Sequence, residues 1–331
     1  MAGLSCPFGR KAPGFIFMKV LITGGAGFIG SHLADRLILD GHTVRLFDNL
    51  STGKRANLTG PAAAAELLVG DVRDLQAIRA SARGMNAIVH LAAIASVQAS
   101  IEDPLGTHAT NLNGTLHCLD AAQKAGVERV LYASSAAVYG DRAAPPVPEH
   151  ALPDPLSPYA VDKLGGEYYL SYYARTHGLD TTAFRFFNIY GPRQDASSPY
   201  SGVISLFAER LARGLPFPIF GDGRQTRDFV YIEDLIEILA QALIRHDLTD
   251  TVMNIGTGIE QELLTLVAAF ETLSGSQIKR EFEAARVGDI RRSCADVTRL
   301  REALGLVPQT SLLRGLSQVL ELTVPEPCAA P

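Results

Sequence analysis

Near the amino end a strand, a glycine-studded turn and a helix follow one another without a break, as Met18-Lys-Val-Leu-Ile-Thr-Gly-Gly-Ala-Gly-Phe-Ile-Gly30. Gly24 allows a tight turn, Gly27 lets the backbone approach a pyrophosphate, and Gly30 lets the helix lie close to the strand. Amides at such a helix start face phosphates. Glycines alone are a weak signal, because glycine is common in turns. These open the first strand-helix unit, and Asp48 stands at the end of the next strand, where a carboxylate accepts hydrogen bonds from adenosine ribose hydroxyls. That charge would repel a 2'-phosphate, so the pattern favours NAD over NADP. The plainer alternative is that Asp48 is a turn residue before Asn49.

Short apolar runs at residues 19–23, 43–47, 66–69, 87–91, 129–133 and 181–186 alternate with helical patterns. Runs apolar at nearly every position suit strands buried on both faces, and the helices between them suit right-handed crossovers. The fold class this predicts is α/β, a Rossmann-type doubly wound parallel sheet. Beyond about Asn188 the regularity breaks into turn-rich stretches at 191–202, 214–227 and 284–294, read as a smaller C-terminal lobe over the carboxyl ends of the strands. The expected division is an extension over 1–17, a dinucleotide-binding domain with the catalytic helix over 18–187, a mainly substrate-binding lobe over 188–323 and a fraying tail over 324–331.

With 331 residues, 47% of them hydrophobic, the chain can bury a large core and is near the size at which one core begins to split. Its 30 basic and 35 acidic residues are mixed along the sequence, with a net charge of -5 and no basic stripe, which argues against nucleic acid. Cys6, Cys118, Cys294 and Cys328 lie far apart, with neither zinc-ligand spacing nor the density of a disulfide scaffold, so a reducing, cytoplasmic location is expected. No apolar run approaches the roughly 20 residues that span a bilayer. Residues 1–17 carry Arg10 and Lys11 with no apolar stretch behind them, unlike a signal peptide, and Met18 directly precedes the first strand. The eight histidines show no ligand spacing, so no metal is expected. Asn57-Leu-Thr59 fits a glycosylation acceptor but means little in a cytosolic chain.

Tyr159-Ala-Val-Asp-Lys163 sets a phenol and an ammonium four apart on one face of a helix entered through Ser157 and Pro158. A tyrosine titrates near pH 10, too high for a base at neutrality, and a nearby lysine cation favours the phenolate. The spacing also occurs by chance in surface helices, but its place about 130 residues after the glycine turn makes it hard to dismiss. Ser134 and Ser135 end an apolar strand, where a hydroxyl can be shared with a substrate and the phenol. Capping or turn roles are the alternative, more so for Ser134 than for Ser135.

From Met18 to about Leu306 the sequence resembles the extended short-chain dehydrogenase/reductases, in particular the NAD-dependent epimerase/dehydratase family that includes UDP-galactose and UDP-N-acetylglucosamine 4-epimerases. The resemblance is carried by Thr23-Gly-Gly-Ala-Gly-Phe-Ile-Gly30, Asp71-Val72, His90-Leu-Ala-Ala93, Asn111, Ser135-Ala-Ala-Val-Tyr-Gly140 and Tyr159-x-x-x-Lys163. It implies adenine contacts at Asp71 and Val72, with Leu91, Ala92, Ala93, Asn111 and Ser134 beside the cofactor. It also places Phe28 and Ile29 of the helix start, and Asn49, Ser51 and Gly53 after Asp48, around NAD. Tyr159 would take the proton of the sugar 4-hydroxyl while hydride leaves the same carbon for the nicotinamide. Ser135 would steady the oxygen, and Lys163 would hold the nicotinamide ribose. The 4-keto sugar then turns over and takes hydride back on its other face, with no net oxidation.

Dehydratases and decarboxylases of the family carry an acidic residue just after the catalytic Ser or Thr, where this chain has Ala136 and Ala137. Uronate 4-epimerases resemble it with threonine at the place of Asn188 and arginine at the place of Asp195, and an aspartate facing the sugar would repel a substrate carboxylate. By resemblance, Arg227 and Arg286 clamp two phosphates as planar guanidinium forks. Asp289 takes the uridine ribose, Phe220 lines the base pocket and Asn188 meets phosphate or sugar. Within Thr226-Arg-Asp228, a structural ion pair is the other reading of Arg227. Ser293 corresponds to a gate residue that is a bulky tyrosine in epimerases restricted to unacetylated hexoses, and Ala95 and Ser96 depart from the galactose type in the same direction. Together they favour UDP-GlcNAc and UDP-GalNAc, with UDP-Glc and UDP-Gal as poorer substrates; the plainer alternative is that Ser293 is only a small residue on a strand.

The leading expectation is an NAD-dependent nucleotide-sugar 4-epimerase, an isomerase that pairs as a homodimer through a four-helix bundle built from helices near 104–126 and 157–178. The alternatives are another member of the family, acting on a uronate or deoxysugar nucleotide or reducing a keto sugar, and a non-catalytic NAD-binding sensor.

Overall fold

The computed structural model describes residues 17–195, 202–248, 250–285 and 290–323. Strand β1 (Lys19–Thr23) leads into helix α1 (Phe28–Leu39), followed by β2 (Thr43–Asp48), β3 (Glu66–Val69), α2 (Leu75–Ala82) and β4 (Ala87–His90). Helices α3 (Val97–Glu102), α4 (Pro104–His108) and α5 (Gly114–Ala125) come next, the last two joined by a π turn over Ala109–Asn113. Then come β5 (Arg129–Ser135), α6 (Pro158–His177), β6 (Asp180–Phe186), β7 (Asn188–Tyr190), α7 (Val203–Ala212) and β8 (Phe217–Phe220). The chain continues through β9 (Thr226–Arg227), β10 (Phe229–Tyr231), α8 (Ile232–Leu243), β11 (Thr251–Ile255), β12 (Gln261–Glu262) and α9 (Leu263–Ser274) to β13 (Arg280–Glu283), α10 (Thr298–Leu304) and α11 (Leu312–Thr323).

Among the described residues seven strands pair in parallel, in the order β11-β6-β5-β4-β1-β2-β3. The period-two alternation of β1 explains why its residues are almost all apolar. Leu21 packs on one face with Ile88, Val130 and Tyr132. Val20 and Ile22 pack on the other with Val89, Leu131 and Phe184. Both faces are covered by helices, as a parallel sheet requires. Strand order reverses beside β1, so the carboxyl ends of β1 and β4 flank the crevice where such sheets bind ligands.

Residues 188–323 do not form a layer of their own. Strand β11 joins the sheet beside β6, and α8 packs on α1, where Arg36 pairs with Glu237. A cut at Asn188 therefore runs through the folded layers. Strand β11 was not among the expected strands, and its Asn254 is a polar residue at a buried position. That side chain is fully buried and satisfied on both sides, accepting from the Tyr139 hydroxyl at 2.6 Å and donating to Val147 O at 2.8 Å and Asp296 O at 3.1 Å. Farther out, Phe207 stacks on Phe217 with ring centroids 4.2 Å apart, and Phe270 meets Phe217 edge-on at 5.5 Å, a core for the outer lobe.

Helix α6 starts with Ser157 Oγ accepting from Ala160 N at 3.2 Å and Pro158 in its first turn, and it ends at Gly178 in the left-handed conformation. This pins the register that carries Tyr159 and Lys163. No helix among the described residues is long and apolar enough to cross a membrane.

Candidate active site

Three backbone segments without intervening side chains meet at the glycine turn. Gly24 has φ +69°, and a Cβ there would lie 2.9 Å from the amide nitrogen of Ala92, while a Cβ on Gly30 would lie 2.3 Å from the Gly24 carbonyl oxygen. Both positions thus exclude side chains for steric reasons. Gly27 is the N-cap of α1 and supplies no side-chain cap, so the amides of Phe28, Ile29 and Gly30 lie outside the helix's own bonding and suit an anion. No acidic residue sits in that first turn to compete.

Asp48, buried at the end of β2, accepts from Ala26 N at 2.9 Å and from Leu50 N at 2.8 Å, with Gly53 packed against the carboxylate. Its oxygens shape the glycine turn first, and their remaining lone pairs are what a ribose would meet. Next to it, Asn49 Nδ2 donates to Asp71 at 2.8 Å, and Asn49 Oδ1 receives Ser51 N at 3.0 Å. The guanidinium of Arg73 holds the Asp71 carboxyl well below the usual carboxylate range. Val72 is buried against Gly114 of α5.

The wall formed by Leu91, Ala92, Ala93 and Ile94 is held by a hydrogen-bonded chain that the sequence did not disclose. Ala92 N donates to Thr23 Oγ1 at 3.3 Å, Thr23 lies 2.7 Å from His90 Nδ1, and His90 Nε2 lies 3.0 Å from Thr115 Oγ1. Thr115 in turn donates to Asn111 O at 2.6 Å. Since the Thr115 proton is committed there, His90 must carry its proton on Nε2 and accept from Thr23 on Nδ1. Burial, with the Lys163 cation nearby, pushes His90 down to about 3, so the ring is neutral and the chain has one direction. Asn111, in the π turn, closes the other end by accepting from Ile94 N at 2.8 Å and donating to Ile94 O at 3.0 Å. π turns inside helices occur often at functional sites.

Ser135, Tyr159 and Lys163 come together where β5 ends and α6 begins. Ser135 favours the charged form of the Tyr159 phenol, and its Oγ accepts from Ala137 N at 3.2 Å. Lys163 is buried, its Nζ donates to Ala133 O at 2.7 Å, and it stands 5.8 Å from the Tyr159 ring centroid and 5.0 Å from that of Tyr132. One of its three N–H donors is used there, which leaves others for a ligand hydroxyl. Desolvation pushes this lysine down to about 8, so the ammonium and its extra donor are lost as pH rises through that value. The sequence led us to expect a lowered phenol; in the chain by itself the Tyr159 phenol is raised, because burial outweighs the influence of Ser135.

Ser134, expected beside the cofactor, is buried and its hydroxyl is bonded within the fold. Its hydroxyl is given to Glu167, whose carboxylate pairs with Arg185 at 2.6 Å in a buried network. Arg185 also lies over the Tyr139 ring, 4.6 Å from its centroid. This network, like Thr23 and Thr115, joins positions too far apart in sequence to be read as a motif.

In the outer lobe, Asn188 is exposed at the start of β7, Phe220 ends β8 half-buried, and Ser293 is half-buried beside Cys294. Arg227 Nη1 donates to Ile290 O at 2.7 Å and to Thr226 O at 2.7 Å, tying β9 to the chain just after Arg286 and Asp289, which lie outside the described residues. Ser96 caps α3 by accepting from Ala99 N at 3.0 Å. Asp195 is paired with Lys54 at 2.8 Å, so its charge is offset by a cation from the dinucleotide side. The anchor missed in this lobe is Asp228, fully buried and accepting from Thr257 N at 2.7 Å, Gly258 N at 3.0 Å and Ala295 N at 3.1 Å.

Residues 20–256 match the family described as the NAD dependent epimerase/dehydratase family, and the chain belongs to it. Its cofactor is accordingly NAD, and the side-chain-free cradle at Gly24 and Gly30 with the open start of α1 fits a dinucleotide. The chain is 39% identical to a UDP-glucose 4-epimerase of Mycolicibacterium smegmatis over 92% of its own length and 98% of the relative's. Among solved structures it is similar to the UDP-glucose 4-epimerase of Thermotoga maritima with UDP-glucose, at TM-score 0.88 and 37% identity over 92% of this chain and 98% of that one. It is likewise similar to the UDP-N-acetylglucosamine 4-epimerase of Methanobrevibacter ruminantium in complex with UDP-N-acetylmuramic acid, at TM-score 0.85 and 32% identity over 93% and 98%.

Gly30→Ala tests the cradle, since the new methyl cannot be placed without moving α1 off the turn. The expected outcome in calorimetric titration with NAD is a Kd raised at least about tenfold, which needs only about 1.4 kcal/mol. Circular dichroism should show the fold retained, and parent-like affinity would contradict the packing argument.

Proposed function

We propose that this protein is an NAD-dependent UDP-sugar 4-epimerase working through a 4-keto intermediate, with UDP-GlcNAc and UDP-GalNAc as its preferred pair and UDP-Glc and UDP-Gal as further substrates. The observation that carries the reading is the convergence of Ser135, Tyr159 and Lys163, linked to the glycine turn through Tyr132, His90 and Thr23. Tyr159 exchanges the proton of the 4-hydroxyl, Ser135 shares a hydrogen bond with phenol and substrate, and Lys163 keeps its ammonium on Ala133 O with donors left for a ribose. NAD, when bound, supplies a reversible oxidant for the sugar carbon and a positive charge that favours the phenolate. Ala136 and Ala137 offer no acid or base for elimination at a neighbouring carbon. Epimerisation needs none there.

The outer-lobe assignments to a nucleotide diphosphate, namely Asn188, Phe220, Arg227, Arg286 and Asp289, belong to the same proposal. The small side chain of Ser293 supports an acetamido sugar, because it leaves room that a tyrosine would fill. A uronate is the second reading: the Asp195 carboxylate that would repel it is held by Lys54. A sensor would have no use for the retained Ser135, Tyr159 and Lys163 set.

We also read the stretch from α4 through α5, together with α6, as a homodimer face. Val161, Tyr168 and Tyr172 form one exposed stripe at helical spacing on α6, beside exposed Ile101 and Leu105. Such a stripe suits a second copy in a four-helix bundle. Replacing Tyr168 and Tyr172 together by Glu should halve the mass in sedimentation; an unchanged dimer, or a monomeric parent, would remove this face from the account.

Incubation with UDP-GlcNAc followed by chromatography should yield UDP-GalNAc. Tyr159→Phe should lower kcat at least about a hundredfold, the scale of a lost general base, while NAD stays bound. Ser293→Tyr should abolish turnover of the acetamido sugar and spare UDP-Glc. Conversion of UDP-glucuronate alone would favour the second reading, and turnover unaffected by Tyr159→Phe would end the mechanism.

A further inference from the structure

The segment that follows β7 returns across the dinucleotide side of the molecule, and it is fastened there at consecutive points on different elements. His32 of α1, one turn in from the glycine turn, donates Nε2–H to Pro192 O at 3.0 Å. Arg193 Nη2 reaches Asp35, on the next turn of α1, at 2.7 Å, and the other Asp35 oxygen receives Ala62 N at 2.7 Å. Asp195 pairs with Lys54 Nζ at 2.8 Å. Lys54 itself donates its amide to Ala26 O at 2.9 Å, and Asn57 Nδ2 donates to the same carbonyl at 2.9 Å, inside the glycine turn. The glycine turn, α1, the stretch after Asp48 and the stretch after β7 are thus cross-tied.

Arg193 holds this position in the left-handed region, at φ +65°. A non-glycine residue stays in such a conformation only where its surroundings over-determine it, and outliers of this kind gather at ligand clamps. Both ion pairs are partly shielded, with side-chain exposures of 24% and 17% for Arg193 and Asp35 and of 53% and 35% for Lys54 and Asp195. Neither pair is needed to build the sheet, and neither joins the Ser135, Tyr159 and Lys163 set. What they do is hold an outer-lobe segment against the two pieces of backbone that make the dinucleotide cradle.

We propose that the Arg193–Asp35 and Lys54–Asp195 pairs are a clasp that sets how slowly NAD leaves this protein. The four side chains are positioning residues: they close the segment after β7 over the cradle, so cofactor release requires the pairs to part. Because β7 begins at Asn188 and pairs with β10, the clasp also ties the outer lobe to the cofactor side. The inference depends on NAD as cofactor and not on the choice of sugar, so it is read without any sugar present and stands or falls apart from the epimerase assignment.

The test is the rate of NAD release from the holoenzyme, followed by stopped-flow loss of protein-bound cofactor into excess NAD-degrading enzyme. Asp35→Asn and Lys54→Gln should each speed release about two- to fivefold, the scale of a partly exposed ion pair, and together multiply. Raising salt to about 1 M should speed the parent toward the double variant, because screening reaches these pairs, and should leave the double variant nearly unmoved. Exchanging the charges, as Lys54→Asp with Asp195→Lys, should restore slow release. The swap separates the clasp from a merely structural role, since a misfolded loop would not be rescued by it. Release rates within experimental error of the parent in both single variants, or fast release that the swapped pair does not slow, would overturn the proposal.

Discussion

The contact on which the rest of the molecule depends is the approach of α1 to the glycine turn. Gly30 packs on the Gly24 carbonyl and Gly24 on the Ala92 amide, so two strands and a helix meet with only backbone between them. This aims the start of α1 across the switch point of the sheet, and it puts Ala26 where Asp48 can bind its amide. It also brings Thr23 under the wall at Ala92, so that one hydrogen-bonded chain runs from there through neutral His90 to Asn111. Each later contact assumes that the first is as close as it is.

Tyr159 and Lys163 are held in a conformation whose titration is dominated by burial. Desolvation lowers Lys163 and raises Tyr159, so each is pushed toward its neutral form. Ser135 works against this at the phenol, and Asp162 does so at the ammonium, which donates to the Ala133 carbonyl. A base poised in the chain alone, as the Tyr-Lys spacing suggested, is not what burial of the phenol provides.

Much of the fold was legible because the physics is local. A strand buried on both faces has to be apolar at every position, as Val20, Leu21 and Ile22 are, and a turn that excludes side chains has to be glycine. Ser135, Tyr159 and Lys163 were legible for the same reason, being set by helix spacing and strand ending. What stayed hidden depends on partners distant in sequence. Asn254 can lie buried in a strand because Tyr139 and Val147 satisfy it, and Ser134 reads as a site hydroxyl until Glu167 takes it. Asp195 reads as a charge facing the sugar until Lys54 pairs with it. The direction of the phenol's shift was hidden too, because proximity of a cation is visible in a sequence and depth of burial is not.

Difference spectroscopy of the Tyr159 phenol, taken as parent minus Tyr159→Phe across a pH titration, tests the account most directly when done with and without NAD. The phenol of the NAD-free chain should titrate above the ordinary range near pH 10, and that of the loaded protein below it. Identical titrations in the two states, or a phenol already lowered in the chain alone, would contradict it.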